Sequence, residues 1–398
     1  MSSIFVQIAS YRDPELIPTL EDLLDKADSP DDLRICIAHQ YSSEDEWDNL
    51  DKFKDDDRFV ILDIDYKESK GACWARNLIQ QEYADETYTL QLDSHHRFIK
   101  GWDTECITML KNLQEKGYNK PLITSYIPSY DPKNDPQGRE QSAWGMGWDR
   151  FIPEGAIFFL PYHMHNETKP KLGRFYSAHF AFTLGEFCKE VPHDPNYYFH
   201  GEEISIAVRA WTWGYDIFHP HKVLAWHEYT RVGRTKQWDD DNTWIDRNNK
   251  SHQRNRQLLG VDGEVADFDF GEYGLGSVRS IEEWEKIMGI RFKDRAIQLH
   301  IKGNTEPHIS DEEYHPLFKH PLEFNKDRLT CDDYEWFAII FEDKDGNQLH
   351  RRDEQNANIL KQENIMIWEE YQGPTPHKWI VWPYSKSKGW VDKIEVVI

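Results

Sequence analysis

The chain has 398 residues, enough for two or three domains and a sizeable core. Its 71 acidic side chains against 47 basic ones give a formal charge of -24, which repels phosphate polymers and anionic lipid and argues against a nucleic-acid partner. A nucleotide ligand is not excluded, because one divalent cation and a few Arg or Lys side chains reverse the field locally.

The first apolar run, Ile4–Ala9, predicts a strand and is too short, with no basic cluster before it, for a signal-peptide core. Further strands are expected at Leu33–His39, Phe59–Asp63 and Tyr88–Asp93. Helical patterns lie between them near Leu16–Lys26, Asp45–Phe53, Ala72–Glu82 and Trp102–Lys116. This alternation predicts an α/β fold, a mainly parallel sheet with helices on both faces, whose ligands collect at the carboxyl ends of the strands. The turn formers of Tyr130–Arg139 predict a long loop leading into Trp144-Gly-Met-Gly-Trp148. Ser280-Ile-Glu-Glu283 reads as a capping box opening a helix that ends near Met288-Gly289. Past about residue 300 the pattern changes to short apolar runs around an Asp345-Gly346 turn, so a small β-rich domain is expected over 301–398, after a domain of 1–300. It carries Trp336, Trp368, Trp379, Trp382 and Trp390 and is expected to be an accessory module or a cap. No run is long enough to span a membrane. The five cysteines, Cys36, Cys73, Cys106, Cys188 and Cys331, form no CxxC pair, so a reducing, cytoplasmic setting is expected rather than a disulfide framework or zinc knuckle.

Asp93-Ser94-His95 ends one predicted strand. An Asp-x-Asp or Asp-x-His pair at such a place can hold a divalent ion that neutralises a departing diphosphate. The spacing alone does not decide, since Asp63/Asp65 also follows an apolar run and Asp267/Asp269 and Asp343/Asp345 repeat the pattern. Arg231, Arg234 and Lys236 in a Gly-containing loop read either as a clamp closing on a diphosphate or as solvated surface charge. Glu202 and Glu203 open a helix, where capping is an alternative to chemistry. Asp13-Pro14 also reads as a helix start.

Several ordered segments add to these residues: Ile8-Ala-Ser-Tyr-Arg-Asp-Pro-Glu15, Lys70-Gly-Ala-Cys-Trp-Ala-Arg-Asn77, Asp93-Ser-His95, Phe199-His-Gly-Glu-Glu203, Ala225-Trp-His-Glu-Tyr-Thr-Arg231 and Tyr273-Gly-Leu-Gly-Ser-Val-Arg279. Together, over roughly residues 3 to 290, they resemble the hydroxyproline-polypeptide N-acetylglucosaminyltransferases, which are cytoplasmic enzymes of the GT-A type. More distantly they resemble the mucin-type polypeptide N-acetylgalactosaminyltransferases. The resemblance implies that Asp93, His95 and His227 bind a metal, a mixed O/N set suited to Mn²⁺. It places Tyr11, Arg12, Asp13, Arg76, Ser94, Arg231 and Arg234 on a UDP-sugar donor, Glu202 on a hydroxyl of the donor sugar and Glu203 near the acceptor. It also puts His179, in Ser177–Phe182, beside the sugar. The implied activity is retaining, metal-dependent transfer of a sugar, GlcNAc by analogy, to a protein hydroxyl. A glycan or lipid-linked acceptor and a non-catalytic sugar-binding protein are the alternatives.

Overall fold

The computed structural model describes residues 3–230, 233–355 and 363–398. They form two compact units, Met1–Lys293 with His300–Ser310, and Asp294–Leu299 with Asp311–Ile398. The chain therefore passes between the units within 294–310. Among the described residues no helix is long and apolar enough to cross a membrane.

The first unit runs β1 (Ile4–Tyr11), α1 (Leu16–Lys26), β2 (Leu33–Tyr41), β3 (Phe59–Asp65), α2 (Ala72–Gln80), β4 (Tyr88–Asp93), β5 (His96–Phe98), α3 (Trp102–Glu115), β6 (Lys120–Thr124), β7 (Trp144–Phe151), β8 (Ile157–His163), β9 (Lys171–Leu172), β10 (Phe180–Leu184), α4 (Phe187–Glu190), α5 (Glu202–Thr212), β11 (Tyr215–His219), β12 (Ala225–His227), α6 (Gln237–Asp240), α7 (Trp244–Leu259) and α8 (Ile281–Met288). Eight strands form one sheet in the order β3-β2-β1-β4-β10-β6-β11-β9. β1 to β4 are mutually parallel, as are β6 and β11, while β10 runs antiparallel between β4 and β6.

Both faces of this sheet are covered, so successive positions along β1, β2 and β4 are buried. Ile4, Val6 and Ile8 pack with Leu16, Leu20 and Leu23 of α1 and Leu110 of α3. Phe5, on the opposite face of the same strand, packs with Cys36, Ala38, and Ala75 and Ile79 of α2. The four parallel strands therefore end on one edge. Ala9 lies beside Asp93 and Tyr11 beside Gln40, so Asp13 and the Asp93 triplet are neighbours by strand register. Antiparallel β10 brings His179 to the same edge, where its carbonyl accepts from the Asp93 N–H at 3.4 Å. The β5–β12 pair sets His227 opposite His96.

The predicted strands all form, and each extends beyond or matches its expected length. The helix expected at Asp45–Phe53 does not. That stretch is a series of turns with one 3-10 turn at Asp51–Phe53. Its acids are claimed elsewhere: Arg12 grips Asp45, and Asp48 lies 3.1 Å from His39. Asp is a poor helix former, and these tertiary partners outweigh the periodic pattern. The loop before β7 forms as expected, with one 3-10 turn at Pro132–Asn134.

In the second unit, strands Leu317–Asn325 and Asn364–Gln372 form one antiparallel pair. Tyr334–Glu342, Gln348–Glu354, Lys378–Ser385, Gly389–Trp390 and Ile394–Val397 form a five-stranded sheet. Leu322, Phe337, Ile339, Phe341, Ile365, Ile367, Trp379 and Val381 fill the core of this unit. The expected hairpin is present: Asp343 accepts from the N–H groups of Asp345 and Asn347, and Gly346 takes φ +84. That turn accounts for the Asp343/Asp345 pair. Trp379 is core, whereas Trp368 and Trp390 are exposed.

The Ser280 capping box is complete. Ser280 Oγ accepts from the Glu283 N–H at 3.1 Å, and Glu283 Oε2 accepts from the Ser280 N–H at 2.7 Å. Gly289, at φ +71, closes α8. Ser280→Ala is expected to cost about 1 kcal/mol of stability, measured by denaturant unfolding, and Ser280→Thr much less.

Candidate active site

Asp93 ends β4, and the next two residues turn back toward β1. Thr19 fixes this turn, its hydroxyl lying within hydrogen-bond distance of the Ser94 and His96 carbonyls while its oxygen accepts from the His96 N–H. One donor atom from each of Asp93, His95 and His227 lies within 4.8 Å of the others. Asp93 Oδ2 is 3.4 Å from His227 Nε2 and 3.8 Å from His95 Nε2. The three residues implied as metal ligands are thus brought together. Asp63 instead pairs with His39 and Lys54, and Asp65 caps the turn that follows it. Asp269 accepts from the Gly271 N–H in a turn of its own.

A buried carboxylate orders the triad. Asp13 Oδ2 accepts from Ser94 Oγ at 2.7 Å, His95 Nδ1 at 2.7 Å and Arg234 Nη1 at 2.9 Å. Burial alone would raise the Asp13 carboxyl, but His95 and Arg234 outweigh it and hold it well below the usual range. An ionised carboxylate only accepts, so the neutral form of His95 carries its proton on Nδ1 and presents Nε2 as the lone-pair nitrogen, with Arg234 Nη1 also in contact with Nδ1. Burial and the neighbouring His179 hold the His227 imidazole neutral, with Nε2 donating to Asp93; an ion between them would take the place of that proton. Asp93 is half-buried, and although desolvation raises its carboxyl, the His227 hydrogen bond and Arg76 outweigh that and keep it ionised. A carboxylate and neutral imidazoles are the forms that bind a divalent ion.

Arg76 ties this group to α5. Its Nη2 donates to Asp93 Oδ1 at 3.0 Å and its Nη1 to Glu202 Oε1 at 2.7 Å. It is 4% exposed, so this is a buried bridge joining Asp93 to Glu202. The second Glu202 oxygen contacts the Cys73 thiol. Glu203 is partly buried; Oε1 accepts from the Ala178 N–H at 2.9 Å and Oε2 is 3.4 Å from the Tyr126 hydroxyl. Of the two helix-opening acids, Glu202 is thus held by α2, and Glu203 reaches β10's approach.

A cleft of about 830 Å³, counted out into the open solvent at its mouth, opens beside the triad. Tyr11, Asp13, Arg76, Asp93, Ser94, His95, Arg234 and Lys236 line it. Arg12 does not. It is bidentate to Asp45 at 2.6 and 3.1 Å and reaches Asp240 at 3.1 Å, where the Tyr11 hydroxyl also donates. Glu202, Glu203 and His227 stand outside the lining, and Arg231 lies outside the described residues. Gln40, Ser69, Tyr198, Gln237 and Trp238 complete the wall without having been singled out in the sequence. One signal was available at Gly71, which has φ +107 and where a Cβ would meet the Tyr198 ring at 2.7 Å. His179, stacked on His227 with ring centroids 4.3 Å apart, belongs to this group as well.

Burial, with Glu202 beside it, pushes the Glu203 carboxyl up to about 8. A raised carboxyl contributes stability that is fully present below its unfolded value and lost as pH rises through the folded one. Glu203→Gln should therefore melt at a rising temperature relative to wild type as the buffer goes from about pH 5 to about pH 9. A pH-independent difference between the two melting curves would contradict this assignment.

A family described as "Glycosyltransferase (GlcNAc)" matches residues 3–60 and 50–294. No curated protein matches. Among solved structures, the chain is similar to GalNAc-T7 with UDP, GalNAc and Mn²⁺, at 15% identity and a TM-score of 0.49, over 65% of this chain and 48% of that one. It is also similar to S. aureus TarS 1-349 in complex with UDP-GlcNAc, at 11% identity and 0.38, over 60% and 61%. A third is the mannosyltransferase PcManGT from Pyrobaculum calidifontis in complex with GDP-Man and Mn²⁺, at 12% and 0.38, over 58% of each chain. The chain spans about half the length of the GalNAc-T7 chain. The family match takes in the whole eight-stranded sheet, Asp13 and all three residues of the triad, and this chain belongs to the GlcNAc glycosyltransferase family.

Proposed function

We propose that the protein is a retaining, metal-dependent glycosyltransferase that moves GlcNAc from UDP-GlcNAc to a hydroxyl of a protein acceptor in the cytoplasm. The observation that carries this reading is the Asp93–His95–His227 triad at the rim of the cleft, with Asp13 setting the His95 tautomer. Mn²⁺ held by these three residues would supply the charge that stabilises a departing diphosphate.

The remaining work falls to the chain. Lys236 lines the cleft as the cation offered to the donor diphosphate, Arg234 lines it while paired with Asp13 and Glu228, and Tyr11 and Asp13 close the end at which the nucleobase sits. Ser94 braces Asp13 from within the triplet. Arg76 acts through Asp93 and Glu202, keeping one carboxylate oxygen of Asp93 turned to the imidazoles. Glu202 steadies Arg76 and through it the donor side, while Glu203 stands toward the acceptor. Retention follows the family resemblance: the bond from C1 to the phosphate breaks, the acceptor oxygen bonds C1 on the same face, and the leaving phosphate takes the acceptor proton. Such a route rests on position and field. The region 301–398, with Trp368 and Trp390 exposed, serves as an accessory module for the acceptor.

The test is release of UDP from UDP-GlcNAc by the purified protein, with and without Mn²⁺. EDTA and His227→Ala should each abolish it, and full activity in either case defeats the reading. Asp13→Asn should keep the ligands and lose the tautomer control. Its Mn²⁺ affinity by calorimetry should fall by roughly 10- to 100-fold, the usual cost of losing an outer-shell carboxylate. Unchanged affinity would show that Asp13 does not order His95.

A further inference from the structure

A second set of metal-type donors converges away from the triad. Cys73 on α2, Glu202 at the start of α5 and His193 in the segment between α4 and α5 offer atoms that all lie within 4.8 Å of one another. All three residues are buried, His193 at 1% exposure. The protonation of His193 can be worked out from its neighbours. Gln91 Nε2 donates to the Ala178 carbonyl at 2.6 Å, which fixes the amide with Oε1 toward His193. That oxygen only accepts, so His193 Nε2, 2.6 Å away, carries the proton. Nδ1 is therefore a lone-pair nitrogen, and it is buried without a hydrogen-bond partner. The backbone of His193 is clamped as well, its N–H donating to Gln80 Oε1 at 2.7 Å and its carbonyl accepting from Asn77 Nδ2 at 2.8 Å.

A buried acceptor with nothing to accept is costly unless something fills the gap. An imidazole whose other nitrogen donates to a carbonyl is the usual state of a metal-bound histidine. We propose that Cys73, His193 and Glu202 bind a Zn²⁺ ion that joins α2, α5 and the 193 segment at the root of α2. The S/N/O set matches Zn²⁺ in softness, and three protein donors leave a fourth position for water. The charges close: a Cys73 thiolate and the Glu202 carboxylate balance the ion, while Arg76, on the other Glu202 oxygen, is balanced by Asp93. Burial and the neighbouring Glu202 keep the thiol protonated in the absence of an ion. On binding, the sulfur bonds the metal and its proton leaves to solvent, one per ion. Burial, reinforced by Arg76 and Arg209, holds His193 neutral beforehand, so it releases none.

The experiment is a Co²⁺ titration of the whole chain after metal removal, followed by absorption. A thiolate-to-cobalt charge-transfer band should develop in wild type, which takes up one Co²⁺ at this site besides any at the triad. It should persist in His227→Ala, which disables the triad, and vanish in Cys73→Ser. His193→Ala should require at least about tenfold more Co²⁺ to reach half the band intensity, a loss of the order seen when a metal site loses one supporting contact. The wild-type measurement needs no variant to fold: saturating Co²⁺ without a thiolate band overturns the proposal, as does a band that survives Cys73→Ser. Because the band reports sulfur ligation, it is independent of whether the triad binds Mn²⁺ or the protein turns over UDP-GlcNAc.

Discussion

Oδ2 of Asp13 receives Ser94, His95 and Arg234 at once, and the geometry of the site rests on that convergence. The three donors come from the loop after β4 and from a segment more than 130 residues later, yet they meet at one atom on the loop after β1. A carboxylate in this position is stable only because its desolvation is offset by two cationic or polarisable partners and a hydroxyl. Removing it would leave a buried guanidinium and an imidazole free to exchange tautomers. The parallel pairing of β1 with β4 is what brings Asp13 within reach, so the orientation of His95 is a property of the sheet as much as of the triplet.

A second buried network stands next to the first. Arg76 joins Asp93 to Glu202, and Glu202 touches Cys73, so a chain of contacts runs from the triad through α2 to the start of α5. Breaking a buried ion pair by removing one partner is far more damaging than its net contribution suggests, because the other charge is stranded. The acids that open α5 consequently differ in kind although they are adjacent. Glu202 is fully engaged, while Glu203 has one firm hydrogen bond and a carboxyl whose proton is held by burial. Helix geometry separates them, since successive residues point about 100° apart.

The two units are built on different physical plans. In the first, polar chemistry gathers where parallel strands end, because the faces of the sheet are sealed by helices and only the edge remains open. In the second, antiparallel strands enclose a core of Phe, Ile and Trp residues, and aromatic side chains are divided by strand alternation between that core and the surface. Trp368 falls on the exposed face of the alternating strand Asn364–Gln372, whereas Trp379 sits in a strand buried on successive positions.

Local pattern in the sequence determined much of this protein. Short apolar-rich segments marked β1 to β4, the reciprocal side chains of Ser280 and Glu283 the start of α8, and Asp345-Gly346 a hairpin. Asp93-Ser94-His95 at a strand end, with His227 added by family resemblance, identified the triad. These features are legible because each depends on residues close in the chain or on a motif kept in order. Tertiary structure decided the rest. It took Asp45 and Asp48 out of a helix by giving them Arg12 and His39, drew Arg12 away from the cleft, and made Arg76 a buried bridge. It also showed that Tyr198, Gln237 and Trp238 line the cleft and that Asp13 orders the triad. The reason is common to all of these: a charged or polar side chain pairs with whatever the fold places within about 3 Å, and that neighbour is set by strand register and helix packing, not by sequence distance.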